Sequence, residues 1–184
     1  MTAPLSKDQY HGLDTAERVC FYEQEFYVLS NFSAFRVRLL VDDGSGGEIG
    51  CTFDTSEAAY HWFKFPKAPE VQAMIHAAPS AHEAFKIAER WKALRRPDWD
   101  EVKVGIMEGI LLAKCNQHEY VRRKLLETGD RELVENSWRD DFWGWGPNRD
   151  GQNMLGKLWM KIRAELRYPC GHVKGSGEFC AECY

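Results

Sequence analysis

Asp140-Asp141-Phe142-Trp143-Gly144-Trp145-Gly146-Pro147-Asn148-Arg149-Asp150-Gly151-Gln152-Asn153 separates two unlike parts of the chain. On its far side, Asn153 to about Leu166 places Leu155, Leu158, Trp159, Ile162 and Leu166 on one face at helical spacing, and Pro169 ends the run. The stretch itself combines glycines that let backbone approach a ligand, indoles with stacking faces, and carboxylates and amides that direct hydrogen bonds. It has the parts of a binding loop for a planar, polar molecule.

Upstream of the loop the chain is mostly helical. The patterns predict helices over about 69–77, 80–91, 99–115 and 117–127, the last stopped by Gly129. Ahead of them, Asp54 and Glu57 have the spacing of a capping box, which opens a further helix running to about Pro66. Before that, Val19 to Phe26 and Phe35 to Val41 have strand character, the second alternating Phe35, Val37 and Leu39 against Arg36 and Arg38. The turn at 42–47 leads to Ile49–Phe53, so a small antiparallel sheet is expected near the N-terminus. Residues 1–17 lack periodicity and are expected to form a flexible arm.

At 184 residues, 44% hydrophobic and 28% charged, the chain can bury one sizeable core and carry an appendage. A net charge of −4 and a pI near 5.9 give no global reason to bind nucleic acid or an anionic membrane, which leaves a small molecule as the default partner. No apolar run approaches the ~18 residues of a membrane span, and residues 1–10 have no secretory pattern. A cytoplasmic protein without a membrane partner is expected.

Several residue types with chemical capacity cluster along the chain. Glu57, Tyr60, His61 and Lys64 project from one face of the first helix and can line a polar pocket. Glu57 has a capping box as its alternative, and His61 and Lys64 have simple exposure. Ser30-Asn31-Phe32 offers a hydroxyl, an amide and a ring at a turn, although Ser-Asn is also ordinary turn chemistry. Trp143 is either a stacking face or a core indole, and Arg163 either holds a phosphate or pairs with an acid.

The order of these segments resembles a known family. Leu29-Ser30-Asn31-Phe32 is followed by Ser56-Glu57-x-x-Tyr60-x-x-x-Lys64, then Asp98-Trp99, Met107 and Ala113-Lys114. Next come Leu126-x-Thr128-Gly129-Asp130, Leu133-Val134-Glu135, Asp140-x-x-Trp143-Gly144-x-Gly146 and Gly151-x-Asn153-x-Leu155-Gly156 with Met160 and Arg163. This series is similar to that of the YbiA-like, or NADAR, family over about residues 19–167. The resemblance implies a compact, mostly helical α+β domain over 18–167 that hydrolyses N-glycosidic bonds. It implies a ribosylated nucleotide-type substrate, either a pyrimidine intermediate of riboflavin synthesis or an ADP-ribosylated guanine, including one carried on nucleic acid. It also implies a pocket drawing on Asn31, Glu57, Lys64, Asp140, Trp143, Gly144 and Asn153.

Those residue types suit the reaction independently. Cleaving the C1′–N bond builds positive charge on the ribose, which a carboxylate stabilises, while a proton donor helps the base leave. Glu57 and Asp140 are the candidate acids, and Lys64 can either bind a phosphate or protonate the leaving group. The alternative is a non-catalytic module that binds ADP-ribose or a related nucleotide, yet such a module has no need of both acids. No organic cofactor is expected, and the sequence names no protein partner.

The six cysteines fall into two groups. Cys20, Cys51 and Cys115 are scattered among apolar neighbours as core residues would be. Cys170, His172, Cys180 and Cys183 instead form two close pairs that match tetrahedral zinc without an open position, so residues 168–184 are expected to form a structural zinc-binding tail. A partner contact is a second role open to that tail.

Overall fold

The computed structural model describes residues 13–22, 24–42 and 45–167, so the expected zinc ligands and most of the N-terminal arm lie outside the described residues. The chain divides into two units, one formed by Tyr27–Arg123 and the other by the segments up to Phe26 and from Lys124 onward. Together the described residues form six α-helices and two two-stranded sheets, a mixed α/β architecture.

In the Tyr27–Arg123 unit, β2 (Val37–Asp42) runs antiparallel to β3 (Glu48–Phe53), from the pair Val37↔Phe53 to Asp42↔Glu48. This is the small antiparallel sheet expected from the alternation. Val37, Val41 and Phe53 are buried while Arg38, Leu40 and Asp42 are exposed, the period of two a half-buried strand requires. Gln117 extends the sheet from a neighbouring helix. Its amide accepts from the Arg38 N–H at 2.8 Å and donates to the Arg38 carbonyl at 2.8 Å.

Three helices of this unit share one core. The first, α1 (Ser56–Trp62), begins at Thr55, whose backbone is extended and whose Oγ1 accepts from the Ala58 N–H at 3.1 Å. The cap is therefore Thr55 and not Asp54, and Glu57 stands in the first turn without the capping-box spacing. In α2 (Pro69–His76), proline occupies the first turn, where its missing N–H leaves no helical bond unmade. Ser80 caps α3 (Ala81–Arg90) through the Glu83 N–H. Phe65, Val71 and Ile75 fill the space between them, and Ala58, Ala84 and Ala88 keep the contacting faces small. The long α4 (Trp99–Gln117) buries Met107, Ile110, Leu111 and Cys115, and α5 (Glu119–Glu127) carries the chain onward.

The second unit contains the element that the sequence patterns did not reveal. Its β1 (Arg18–Phe21) pairs in parallel with β4 (Glu132–Glu135), from Arg18↔Glu132 to Phe21↔Glu135. The expected strand to Phe26 is thus cut short, and Gln24–Leu29 forms a 3-10 segment kinked at Phe26. Helix α6 (Met154–Glu165) packs on β4, with Trp159 fully buried. A Cβ at Gly156 would collide with the Leu133 carbonyl, so only glycine lets the helix and strand lie this close.

Candidate functional site

The first-helix face expected to be reactive is assembled, and it is buried. Glu57 and His61 lie one helical turn apart, with His61 Nε2 2.7 Å from Glu57 Oε1. Their side chains are only 12% and 3% exposed, so neither is a solvated surface residue. A carboxylate accepts, which assigns the shared proton to His61 Nε2 and leaves Nδ1 as the other face of the ring. Lys64 is also buried. Its Nζ lies 5.0 Å from the Tyr60 ring and 5.5 Å from the Trp99 ring, two aromatics that pack at 4.9 Å.

Burial pulls the Lys64 ammonium down from its ordinary range to about 8, although the Glu57 carboxylate works in the opposite direction. An amine in that range exchanges a proton near neutral pH, as an ordinary surface lysine does not.

Asn31 stands against the same turn of helix. The Glu57 N–H donates to the Asn31 carbonyl at 3.1 Å, and Asn31 Nδ2 reaches the Met107 sulfur at 3.4 Å. Three buried polar atoms in this neighbourhood have no protein partner among the described residues: Asn31 Oδ1, Ser56 Oγ and His61 Nδ1. Each belongs to a residue adjacent or hydrogen-bonded to Glu57. Unpartnered buried polar atoms are rare, and three around one carboxylate suit a ligand that supplies donors and acceptors.

Ser30 and Phe32 have local duties in the turn. Ser30 is fully buried, its hydroxyl accepting from the Phe32 N–H, while the Phe32 carbonyl accepts from Tyr27 Oη. The turn is fastened from below by Lys114, whose Nζ donates to the Ser30 carbonyl at 2.9 Å and to Ser33 Oγ at 2.7 Å. Lys114 and Ser56 were not singled out as site residues from sequence, and His61 was read as part of the polar face but not as the partner of Glu57. The i,i+4 spacing of Glu57 and His61 was the local pattern that could have flagged their pairing.

The glycine-rich loop belongs to the other unit, and its geometry is largely self-contained. Asp140 Oδ1 accepts from the Phe142 N–H at 2.9 Å and the Trp143 N–H at 2.7 Å. The carbonyls of Phe142, Trp143 and Gly144 accept from the N–H groups of Met154, Leu155 and Asn153, so the loop satisfies the donors that open α6. A Cβ at Gly144 would lie 2.8 Å from the Glu135 carbonyl, which leaves glycine alone able to occupy that position. Trp143 is half-buried and meets Phe142 edge-on at 5.0 Å.

Asn153 and Arg163 hold secondary structure together. Asn153, in the left-handed region at φ 50°, donates from Nδ2 to the Leu133 carbonyl at 2.8 Å and accepts on Oδ1 from the Glu135 N–H at 3.0 Å. Arg163 donates to Thr128 Oγ1 at 2.6 Å and to the Arg131 carbonyl at 2.9 Å, bonds to neutral oxygens and not to an acid. Of the scattered thiols, Cys20 and Cys115 are buried, and burial pushes both up to about 11, far from thiolate chemistry. Among the described residues no group of three His, Cys, Asp or Glu side chains is placed to hold a metal ion, and no helix is long and apolar enough to cross a membrane.

These features define a mixed α/β protein whose first helix carries a buried carboxylate–imidazole pair beside a low-pKa amine. Residues 20–167 match the NADAR domain, and the chain belongs to that family. It is 43% identical over 115 residues to an N-glycosidase of Nostoc punctiforme, an alignment covering 61% of this chain and 74% of that protein. To N-glycosidase YbiA of Escherichia coli it is 34% identical over 140 residues, covering 74% and 79% of the two chains. A riboflavin biosynthesis protein of Vibrio vulnificus is 35% identical over 118 residues, and there the match spans 64% of this chain but 32% of the longer relative. The NMR structure of the Escherichia coli YbiA protein superposes with a TM-score of 0.70 at 28% identity, over 89% of this chain and 93% of that one.

Proposed function

We propose that the protein is a hydrolase of N-glycosyl bonds acting on a ribosylated base. The observation that carries the reading is the buried Glu57–His61 pair next to Lys64, set among polar atoms with no protein partner. The names of the Nostoc and Escherichia relatives support the reaction class, and the Vibrio name favours a ribosylated pyrimidine over ADP-ribosylated guanine as the substrate.

The residues divide the chemistry by type. As the C1′–N bond lengthens, positive charge grows on the ribose ring, and the Glu57 carboxylate stabilises that charge or accepts a proton from the attacking water. His61 holds Glu57 in one rotamer through Nε2 and completes an acid–imidazole relay. The Lys64 ammonium, destabilised by burial, gives up its proton readily to the departing base. Asn31 Oδ1 and Ser56 Oγ are the groups we assign to orienting the sugar hydroxyls. Asp140 orders the loop that carries Trp143 within the other unit.

The test is direct. The purified protein is incubated separately with a phosphoribosylated aminopyrimidine and with ADP-ribosylated guanosine, and released base is followed by chromatography. Release from the pyrimidine that is lost in Glu57→Gln supports the reading. Tight binding of either compound with no release would instead identify a nucleotide-binding module.

A further inference from the structure

A cavity of about 320 Å³ opens in the Tyr27–Arg123 unit, lined by residues that include Pro66 and Lys67, just after Lys64 in the chain. Pro66, Leu94 and Pro97 supply apolar walls, and Lys67, Arg95 and Arg96 supply cations. Arg96 is neutralised by Asp98, with two bonds of 2.7 Å between the guanidinium and the carboxylate. Lys67 and Arg95 form no close ion pair among the described residues, although Lys67 also interacts electrostatically with Asp98 and Arg95 with Asp100; the lining itself holds three cations against the single carboxylate of Asp98. The Arg96 N–H donates to the Lys64 carbonyl at 2.8 Å, which ties this wall to the backbone of the proposed acid. Both Arg95 and Lys92 act on the Lys64 ammonium as like charges, so the basic groups and the amine share one electrostatic neighbourhood.

An excess of cations over carboxylates beside an apolar wall fits an oxyanion attached to an organic body. In a protein of net charge −4, such a concentration of positive charge is local and not a reflection of composition. A guanidinium and an ammonium together suit phosphate, the first as a planar fork and the second as a point charge. We infer that the cavity lined by Lys67 and Arg95 is the seat of a phosphate monoester carried by the N-ribosyl substrate. This rests on the glycosidase reading above. It adds a phosphate-specificity site that neither Glu57 nor Lys64 provides.

The experiment has a binding arm and a turnover arm. In the first, ribose 5-phosphate and ribose are titrated calorimetrically into the wild-type protein and into the Lys67→Gln/Arg95→Gln double variant, with melting temperatures confirming that both are folded. Ribose 5-phosphate should bind at least about tenfold more tightly than ribose, and the double variant should lose that difference, because charge-assisted bonds to phosphate are removed. Equal affinity of wild type and double variant for ribose 5-phosphate would overturn the inference. A short oligonucleotide binding the wild type more tightly than ribose 5-phosphate would also overturn it, in favour of backbone phosphodiesters.

In the second arm, an N-ribosyl base and its 5′-phosphate are compared as substrates. The double variant should raise KM for the phosphorylated compound about tenfold or more, leave kcat within about twofold, and leave the dephosphorylated compound unaffected. Equal KM changes for both compounds would sink the phosphate assignment. Should the wild type cleave neither compound, the glycosidase reading fails while the binding arm still decides the cavity on its own.

Discussion

Lys114 Nζ lies 2.7 Å from Ser33 Oγ, inside a region where the lysine has no exposed surface. A second bond to the Ser30 carbonyl makes this ammonium the fastening of the turn that carries Asn31. Lys114→Met removes the charge and its desolvation penalty together, so the melting temperature should move by only a few degrees. The turn should loosen all the same. Faster hydrogen exchange at the Ser33 N–H, which donates to the Ser30 carbonyl, should accompany a drop in kcat/KM of about tenfold or more.

Glu57→Gln should leave helix content and melting temperature near those of the wild type while lowering kcat by about a hundredfold or more. Thr55 caps α1, so the amide removes no cap. Circular dichroism and steady-state kinetics on the same preparation separate the outcomes. Normal turnover would remove Glu57 from the chemistry.

Lys64 links pH to stability with a defined sign. Its folded pKa, about 8, lies below the ordinary value of 10.5, so the folded state binds fewer protons than the unfolded state between those values. The penalty for burying the ammonium is therefore fully present below about pH 8 and is relieved as pH rises towards 10.5. Lys64→Met should melt higher than the wild type at pH 7, with the difference shrinking as pH rises from about 8 to 10.5, and it should be close to inactive. In the wild type, kcat should fall as pH rises through about 8. A melting difference that does not depend on pH would contradict this account.

Asn153→Ala breaks two buried bonds to β4 and leaves the Leu133 carbonyl and the Glu135 N–H without that partner. It also places a residue less tolerant of the left-handed region at φ 50°. A loss of about 3 kcal/mol in chemical denaturation is expected, well above that of an exposed polar substitution. Asn153→Gly, which relieves only the backbone strain, should recover a small part of it.

We also propose that Cys170, His172, Cys180 and Cys183 bind zinc, although they lie outside the described residues. Protein purified without added zinc should contain about one equivalent, and Cys180→Ser should lower that content. Four protein ligands leave no position for an activated water. Chelation should accordingly leave cleavage of a small substrate largely intact.

How much of this was legible beforehand depended on whether the deciding partner lay nearby in sequence. The β2–β3 pair was readable because alternation at Val37–Val41 and the turn at 42–47 are both local. The helices were readable from spacing, within a few residues at their ends. Asp54 and Thr55 are both good caps, and only the extended backbone at Thr55 chooses between them. The strand expected to reach Phe26 stops at Phe21, because its register depends on a four-residue partner, Glu132–Glu135, too short to show a period. Glu57, Lys64 and Asn31 were visible by type and order, whereas the burial of His61 and Lys114 follows from packing that a linear pattern does not contain.

The parallel pairing of β1 with β4 also has a kinetic consequence. Arg18 and Glu132 are 114 positions apart, and joining chain ends that distant costs about 4 kcal/mol in loop-closure entropy before the ladder returns any of it. A ribosome delivers the whole Tyr27–Arg123 segment before it delivers a partner for the first strand. Val19, Cys20 and Phe21, fully or almost fully buried in the finished protein, must therefore wait through most of synthesis as an unpaired apolar edge. Nascent chains stalled before Glu132 should thus be the most vulnerable to aggregation, and a truncation there should need chaperones that the full chain does not.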